Sequence, residues 1–404
     1  MKNKIFIATY GGGHVNIVKC ILPELKKENV EIEILALTIA DKVLSKENVA
    51  HKTIAHYANL LPYKNEIRQI GKKAIHGHHD EKSEIDIEDA IVYHGIGIYD
   101  LCKKYGEEKG WHLFKENGRK AFNPVYTMGI LLTQIAPDIV VIPTGVRFEQ
   151  AIAEVANKNN IPVAYINDLP IVTELPFKAK TCVMNEWAKN YAIRESGFRE
   201  EDLVVTGQPV MENNLQLDEY YCKKYEREIR GEWKKVVLFL GTPTIDIFPE
   251  IKPTIQEIVK LADKYTDVRF IIRPHPGNTD NYGMRNTNNL VVAKEGELKY
   301  IIYSADVIIT HVSTAGLEAG LMGKPVITVL NETKPKFRLE DTGRAVNIEN
   351  ICKLEETIVQ CLCEGSCIRK RLSKGNEDFD NKSNAAQNIV DVIVGLLDNK
   401  NPDF

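Results

Sequence analysis

The sequence has no long hydrophobic run. No stretch reaches the ~18 apolar residues that a membrane-spanning helix requires. The apolar segment IFIATY, which follows the first four residues, is too short for the hydrophobic region of a signal peptide and is typical of a first β-strand. We therefore expect a cytoplasmic protein without a membrane span.

The sequence also lacks an excess of positive charge and closely paired cysteines. The formal net charge is −4 and there is no long basic block, which argues against a nucleic-acid partner. The eight cysteines are scattered along the chain, as expected for reduced thiols in a cytoplasm. The one cluster, Cys352, Cys361, Cys363 and Cys367, has no CxxC pair and no neighbouring histidine, so we predict no zinc site there.

What the sequence does contain is a regular alternation of apolar strand-like segments with helical segments. Its 404 residues are too many for one core, and 44% hydrophobic with 27% charged residues is typical of globular domains. Strands that alternate with helices form parallel sheets. We therefore predict an α/β fold with two doubly wound parallel-sheet domains that face a cleft.

The domain boundaries follow from the same pattern. We predict an N-terminal domain at 1–214, with a mostly helical insertion at about 45–122, and a C-terminal domain at 234–380. The charged segment 215–233 is interpreted as a linker. A last helix within 381–404 has an apolar stripe that needs a partner surface, and the N-terminal domain is one candidate for that surface.

The segment 308–329 carries the strongest functional signal. An apolar strand ends in a polar turn, Ser313 and Thr314 open a helix, and Glu318 follows about one turn later. Free backbone N–H groups and the helix dipole at such a terminus attract phosphate, and a carboxylate one turn later suits the hydroxyls of a ribose. The alternative is an ordinary buried α/β unit whose small residues pack the helix against the strand.

Two further strand ends in the second half carry polar residues. Ligand sites in open α/β sheets lie at the carboxyl ends of strands, so we predict one pocket for a phosphorylated ligand. His275 has an alternative interpretation as a structural histidine between two prolines. The residues assigned to nucleotide or donor binding are Gly241, Thr242, Arg273, His275, His311, Ser313, Thr314, Ala315, Gly316 and Glu318.

Three stretches of the sequence resemble the GT-B superfamily, which holds MurG-like and capsule-type glycosyltransferases and the UDP-N-acetylglucosamine 2-epimerases. They are PDIVV at 137–141 with NIPVAY at 160–165, VVTGQPV at 204–210, and the helix segment 313–325. The resemblance implies two Rossmann-like domains, with a nucleotide site in the second. It also implies that a glutamate, here Glu318, holds the uridine ribose.

The sequence departs from the epimerases where they carry catalytic residues. The glycines at 11–13 and His14 stand where epimerases have Arg-Pro-Glu, and they look more like the glycine-rich loop of MurG-type enzymes. Pro-Thr-Gly at 143–145 replaces a Gly-Asp, and the epimerase glutamate falls near Asn167, with Asp168 beside it. These departures favour a glycosyltransferase over an epimerase.

Glycosyl transfer requires a neutralised leaving group and a deprotonated acceptor hydroxyl. His14 is the candidate general base, because an unperturbed imidazole titrates near neutral pH, and it is predicted to face the cleft between the domains. A helix cap is the alternative role, and Asp168 is the competing base.

The predicted phosphate or acceptor loop comprises Gly11, Gly12, Gly13, Thr144, Arg147 and Glu149. The glycines let backbone N–H groups approach a ligand, whereas Arg147 and Glu149 are equally compatible with solvated residues of a first helical turn.

The function that we expect is an inverting glycosyltransferase of surface polysaccharide or glycoconjugate assembly, which uses a nucleotide-activated sugar and a carbohydrate or lipid-linked acceptor. UDP is favoured, but His275-Pro276 and Ser313-Thr314 are similar to motifs of capsule enzymes with CMP- or CDP-linked donors. A UDP-N-acetylglucosamine 2-epimerase and a non-catalytic GT-B partner subunit are the alternatives. Peripheral membrane association and a homodimer stay open.

No cofactor and no obligatory metal are expected. The DxD-like strings at 86–89 and 378–380 do not follow strands, so they are not placed to bridge a cation to a diphosphate. His76, His78, His79 and Asp80 are interpreted as a solvated loop rather than a metal cluster.

Overall fold

A computed structural model of the chain describes residues 2–76, 84–242, 248–275, 282 and 286–398. His78, His79, Asp80 and Pro276 lie outside the described residues. The chain divides into two compact units. The first comprises 1–210 and 381–404, and the second comprises 211–380.

The first unit is built on a seven-stranded sheet in which all neighbouring strands are parallel. The strands are β1 (Asn3–Thr9), β2 (Val30–Ala36), β3 (Lys52–Thr53), β4 (Ile139–Ile142), β5 (Val163–Ile166), β6 (Lys180–Val183) and β7 (Leu203–Val205). Their order is β3-β2-β1-β4-β5-β6-β7, so the direction of winding reverses between β1 and β4. Doubly wound sheets bind their ligands outside the carboxyl ends of the strands at such a reversal.

Helices cover both faces of this sheet. They are α1 (Gly13–Leu25), α2 (Ala40–Lys46), α3 (Ile54–Ala58), α4 (Lys64–Ile75), α5 (Ile87–Tyr105), α6 (Glu107–Asn117), α7 (Val125–Ile135), α8 (Arg147–Lys158), α9 (Glu186–Ser196) and α17 (Ala385–Asp398). In β1, Ile5 and Ile7 pack with α1 and α17, whereas Phe6 and Ala8 pack with α5, α7 and α8, because successive side chains of a strand point to opposite faces. The insertion predicted at 45–122 contains α3 to α6 and also the short strand β3, which the sequence analysis missed.

The last helix, α17, belongs to the first unit. Ile389, Val390, Ile393 and Leu397 form its buried stripe and join the core residues of α1. The Asn388 side chain also donates a hydrogen bond to the Thr206 carbonyl at 2.9 Å. The apolar stripe found in the sequence is therefore a packing surface within this unit.

The second unit has a six-stranded parallel sheet with the order β10-β9-β8-β11-β12-β13. Its strands are β8 (Lys235–Leu240), β9 (Val268–Arg273), β10 (Leu290–Val292), β11 (Val307–Thr310), β12 (Val326–Val329) and β13 (Ala345–Ile348). The helices that follow α9 are α10 (Pro209–Leu215), at the junction of the units, and α11 (Glu219–Tyr225), α12 (Ile251–Lys264), α13 (Leu298–Ser304), α14 (Thr314–Leu321), α15 (Leu354–Leu362) and α16 (Cys367–Lys374). The predicted fold class, two doubly wound parallel-sheet domains, is confirmed, although the edge strand β13 was missed.

The segment 215–233, interpreted as a linker, is instead an integral part of the second unit. It forms α11 and a π-helical turn at Glu226–Arg230. The Arg230 guanidinium donates to both carboxylate oxygens of Asp306 at 3.0 and 3.1 Å, and the Tyr225 hydroxyl accepts a bond from the Glu297 N–H at 2.7 Å. At least one of the charged residues that suggested a solvated linker, Arg230, thus forms a specific ion pair within the second unit.

A buried carboxylate holds the loop that follows β12. Glu250, just before α12, accepts hydrogen bonds from the N–H groups of Asn331, Glu332 and Thr333 at 3.0, 2.9 and 3.0 Å, and from the Thr333 hydroxyl at 3.0 Å. Burial raises the pKa of Glu250, but these hydrogen bonds outweigh it and lower the pKa to about 2. The ionised carboxylate therefore stabilises the folded state.

We expect Glu250→Gln to lower the free energy of unfolding at pH 7 by about 3 kcal/mol, the approximate equivalent of this pKa shift. Because the folded-state pKa lies below the ordinary value of 4.5, the stabilisation is complete well above pH 4.5 and is lost as the pH falls toward 2. Urea unfolding at pH 7 and at pH 4 should show a smaller difference between parent and variant at pH 4. Glu364→Gln, on an exposed side chain, is the control, and an equal Glu250→Gln effect at both pH values would contradict the account.

Candidate active site

The first candidate site begins where β1 ends. Gly12 has φ +72° and ψ −136°, a conformation that favours glycine, and it precedes α1 without any side-chain cap on the helix. A Cβ at Gly11 would lie only 1.9 Å from Cγ1 of Ile39, so this glycine allows the loop to pack closely. The N-terminus of α1 therefore presents uncapped backbone N–H groups at the sheet edge.

His14 and Asp168, predicted as competing bases, are in direct contact. His14 Nε2 lies 3.0 Å from Asp168 Oδ2, with both side chains about one quarter exposed at 25% and 22%. When Nε2 carries the proton, its N–H donates a hydrogen bond to the Asp168 carboxylate, and the lone pair of the imidazole is then on Nδ1. Nδ1 is buried and has no hydrogen-bond partner among the described residues. His14 does not cap α1, so the capping role considered from the sequence does not apply.

Asp168 is positioned by the residue that precedes it. Asn167 is buried, accepts a hydrogen bond from the Tyr165 hydroxyl at 3.1 Å, and donates to the carbonyls of Leu169 and of Ile171, the latter at 3.3 Å. These bonds fix the turn that leaves β5. The Asp168 carboxylate is therefore held toward His14 by the backbone on both sides of it.

Glu149 lies in the interior next to this pair. One of its oxygens accepts the Tyr10 N–H at 3.1 Å and the other accepts the Thr144 N–H at 2.7 Å, so the carboxyl group joins the ends of β1 and β4. It is 0% exposed, and burial raises its pKa well above the ordinary range. The alternative of a solvated first-turn residue is therefore wrong for Glu149. Thr144, also predicted as a loop residue, is buried.

Arg147 opens α8 at the same edge of the sheet. Its guanidinium carbon lies 4.6 Å from the centre of the Tyr10 ring. The Tyr10 hydroxyl in turn lies 3.0 Å from that of Tyr93 and accepts a bond from the Phe148 N–H at 3.3 Å. Tyr10 and Tyr93 were not predicted as site residues, because their contacts join segments that are far apart in the sequence.

The second candidate site lies at the start of α14 in the second unit. Ser313 is the N-cap, and its hydroxyl accepts the Ala315 N–H at 3.1 Å. Thr314 is exposed at the first position of the helix. Gly316 packs so closely that a Cβ there would lie 2.9 Å from side-chain atoms of Thr310 and Leu339. The turn thus combines a close approach of helix and strand with an accessible helix terminus.

Glu318 lies one turn further along α14. One of its oxygens accepts a hydrogen bond from the Asn214 side chain at 3.1 Å, and burial raises the pKa of the carboxyl group. Asn214 was not predicted, and no sequence pattern pointed to it. This environment provides a fixed carboxyl group suited to hydroxyl donors.

The other predicted residues of this site occupy different environments. His311 is buried between Phe239 and Phe248, and burial lowers its pKa to about 4, so the imidazole is neutral. The Arg273 guanidinium donates to the carbonyls at 293, 295 and 296 at 3.0, 2.6 and 3.0 Å, and thus holds the loop after β10. Burial lowers the pKa of His275.

Gly241 brings two of these strand ends together. Its N–H donates to the Arg273 carbonyl at 2.9 Å, and a Cβ would lie 3.2 Å from the His275 nitrogen and 2.4 Å from the Tyr282 hydroxyl oxygen. Thr242 beside it is buried. The ends of β8 and β9 therefore meet closely enough to require glycine.

Two properties of the described residues bear on other kinds of function. Within 2–76, 84–242, 248–275, 282 and 286–398, no group of three or more His, Cys, Asp or Glu side chains is arranged to hold a metal ion. In the same ranges, the helices are all too short or too polar to cross a membrane.

Comparison with known proteins gives similarity in structure but not in sequence. No protein-family model matches the chain, and no curated protein is similar enough in sequence to match. The UDP-GlcNAc 2-epimerase of Neisseria meningitidis, solved with UDP-GlcNAc bound, superposes with a TM-score of 0.60 at 16% identity, over 98% of this chain and 100% of that one.

Two further solved structures show the same architecture. A putative UDP-N-acetylglucosamine 2-epimerase of Listeria monocytogenes has a TM-score of 0.63 at 12% identity, with 99% of this chain and 98% of that chain covered. MurG of Acinetobacter baumannii has a TM-score of 0.54 at 14% identity, with 98% and 100% covered. At such identities the likeness establishes the architecture alone. It confirms the resemblance found in the sequence, and this chain has the GT-B fold.

Proposed function

We propose that this chain is a glycosyltransferase that transfers a sugar from a nucleotide-activated donor to a hydroxyl group of an acceptor. The observation that carries the proposal is the contact of 3.0 Å between His14 and Asp168. These residues follow β1 and β5, on either side of β4, at the carboxyl edge of the sheet where its winding reverses. A histidine oriented by a carboxylate is the arrangement that activates hydroxyl nucleophiles.

In the proposed reaction, Nδ1 of His14 accepts the proton of the acceptor hydroxyl. The hydroxyl oxygen forms a bond to the anomeric carbon of the donor sugar while the bond from that carbon to the diphosphate oxygen breaks, so the configuration inverts. Asp168 holds the imidazole orientation and stabilises the imidazolium ion. Nδ1 has no hydrogen-bond partner among the described residues, which supports this role because its lone pair is not committed to another group of the protein.

The second unit is proposed to bind the donor nucleotide. The start of α14, at Ser313 and Thr314, suits phosphate, since the N–H groups of a helix N-terminus and its dipole favour anions. The half-buried Glu318 carboxyl group, held by Asn214, suits the ribose hydroxyls. UDP is the nucleotide that we favour, and CMP- or CDP-linked donors are the alternatives.

A UDP-N-acetylglucosamine 2-epimerase is the second candidate. Solved epimerases superpose on nearly the whole chain, and two carboxyl groups, of Glu149 and Asp168, lie near each other in the first unit. Against this candidate, Glu149 has both oxygens bonded to backbone N–H groups. Incubation with UDP-GlcNAc and no acceptor separates the two, because release of N-acetylmannosamine would support the epimerase and exclude simple transfer.

The proposed setting is surface polysaccharide or glycoconjugate assembly in the cytoplasm, with a carbohydrate or lipid-linked acceptor. A thermal-shift screen with UDP-, CMP-, CDP-, GDP- and dTDP-sugars identifies the donor. A selective rise in Tm with one nucleotide class is expected, because a ligand that binds the native state stabilises it. No shift with any of them would favour a non-catalytic subunit.

We expect His14→Ala to lower kcat by roughly 10²–10⁴-fold, the usual contribution of a general base. Nucleotide affinity and Tm should stay close to those of the parent. His14→Asn is the matched variant, since an amide forms hydrogen bonds but does not accept a proton near neutral pH. An active His14→Asn enzyme would overturn the role of His14 and leave Asp168 as the base.

Glu318→Ala should weaken nucleotide binding by about 1.5–3 kcal/mol, the loss usual for a hydrogen bond to a charged group. Calorimetric titration of parent and variant with the nucleotide found in the screen measures the difference. Glu340→Ala, a change of another glutamate of this unit that pairs with Arg338, serves as the control. Unchanged affinity of Glu318→Ala for every nucleotide would rule out contact with the ribose.

Turnover should persist after treatment with EDTA, because transfer in this proposal uses a protein base and a helix N-terminus rather than a bridging cation. Rates are compared before chelation, after it, and after addition of magnesium or manganese. Activity that disappears with EDTA and returns with either metal would show that the proposal omits an essential ion.

A further inference from the structure

Arg147 is a cation without a counterion at the edge of the first candidate site. The described residues provide it with no hydrogen-bond or ion-pair partner, and its Nε atom is buried without one. The guanidinium lies over the face of the Tyr10 ring, with its central carbon 4.6 Å from the ring centre. A buried donor without a partner destabilises the protein, so a ligand that accepts a hydrogen bond from it would gain affinity.

The backbone of Arg147 is also held in an unfavourable conformation. Its φ is +55°, in the left-handed region that residues with a Cβ seldom adopt. Strain of this kind persists only where the surrounding structure imposes it, and it is often found at ligand sites. The conformation places a long charged side chain at a position that glycine would occupy without strain.

The nearby acids do not neutralise this guanidinium. Glu149 uses both oxygens on the N–H groups of Tyr10 and Thr144, and burial raises its pKa. Asp168 is engaged by His14. The phenols of Tyr10 and Tyr93 also stay neutral, since burial raises the pKa of each.

A second cation lies in the same region. Burial raises the pKa of Tyr93, and the positive charges of Arg147 and of the exposed Arg119 both oppose that rise. Two arginine side chains therefore lie near Tyr93. Charge of this sign attracts anionic ligands.

We propose that Arg147 binds a carboxylate or phosphate group of the acceptor, so that the acceptor of this enzyme is an acidic sugar or a sugar phosphate. This inference rests on the proposed function, because it concerns the second substrate of the same transfer. The planar fork of an arginine forms two parallel hydrogen bonds with a carboxylate or phosphate. Arg147 and His14 follow adjacent strands, β4 and β1, so such an anchor would fix the hydroxyl that His14 deprotonates.

The test measures binding of small sugars to the full chain in the absence of any nucleotide. Glucuronate and glucose 1-phosphate are the anionic probes, and glucose is the neutral control. At least one anionic probe should bind the parent about ten-fold more tightly than glucose, and Arg147→Gln should remove that preference. Arg147→Lys should recover only part of it, because an ammonium group does not form the two-bond fork.

Arg194→Gln is the matched control, because Arg194 is an exposed arginine of the same unit that pairs with Glu195. It should bind all probes as the parent does. Equal binding of glucuronate, glucose 1-phosphate and glucose by the parent would overturn the proposal. So would an Arg147→Gln variant with an intact preference for anions.

A titration with UDP decides whether the donor diphosphate is the anion instead. An Arg147→Gln variant with weaker UDP binding and unchanged binding of both anionic sugars would refute an acidic acceptor. Because the sugar titrations contain no nucleotide, they still report on Arg147 if the Glu318 experiment refutes the nucleotide site. Failure of the proposed function and failure of this inference are therefore distinguishable.

The variant Arg147→Gly tests whether Arg147 serves ligand binding or the stability of the fold. Glycine adopts φ +55° without strain, so we expect a Tm no lower than that of the parent, together with loss of the anion preference. A fall in Tm of more than about 5 °C, with the anion preference retained, would mean that this residue serves the fold and not a ligand.

Discussion

The Glu149 carboxyl group connects two strands from the interior, and the first site depends on it. By accepting the N–H groups of Tyr10 and Thr144, it fixes the chain where it leaves β1 and β4. The loop after β1 carries His14, and the segment after β4 carries Arg147. Because these strands flank the reversal of the sheet order, one buried group sets the spacing between a candidate base and a candidate anion anchor.

In this arrangement the Glu149 carboxyl group does not form an ion pair with the neighbouring Arg147 guanidinium. Glu149 is shielded and satisfied by backbone donors, so the neighbouring Arg147 keeps an unpaired guanidinium. Asp168 is committed to His14 through Nε2, which leaves Nδ1 for a substrate proton. The second unit uses a carboxylate in the opposite way, since Glu250 stays ionised through the three N–H groups of the loop at 331–333. Burial together with hydrogen bonds, rather than residue type, decides what each acid does.

The architecture could be predicted from the sequence, because apolar strand-like segments alternate regularly with helical segments along the chain. The sequence also singled out His14 and Asp168. It treated those two as rivals, since a contact between residues 154 positions apart leaves no local pattern. The short edge strands β3 and β13 escaped notice because a few residues carry little periodic signal.

Other features depend on the tertiary structure and leave no signal in the sequence. A positive φ is suggested by glycine or asparagine but not by arginine, so the strain at Arg147 was invisible. Glu149 was assigned to a phosphate or acceptor loop, with a solvated first-turn residue as the alternative, because only the tertiary structure shows that this turn of α8 is buried. The segment 215–233 was interpreted as a linker because it is highly charged. The sequence does not show that Arg230 contacts Asp306 or that Tyr225 contacts Glu297.

The central claim is that His14 and Asp168 act as one unit on the acceptor hydroxyl, and a double-mutant cycle on kcat/KM tests it most directly. Parent, His14→Ala, Asp168→Asn and the double variant are compared with the same donor and acceptor. Residues that act together give non-additive effects. The account predicts that Asp168→Asn lowers kcat/KM strongly in the parent but has little further effect once His14 is alanine. The same reduction in both backgrounds would contradict the account, since the two residues would then act independently.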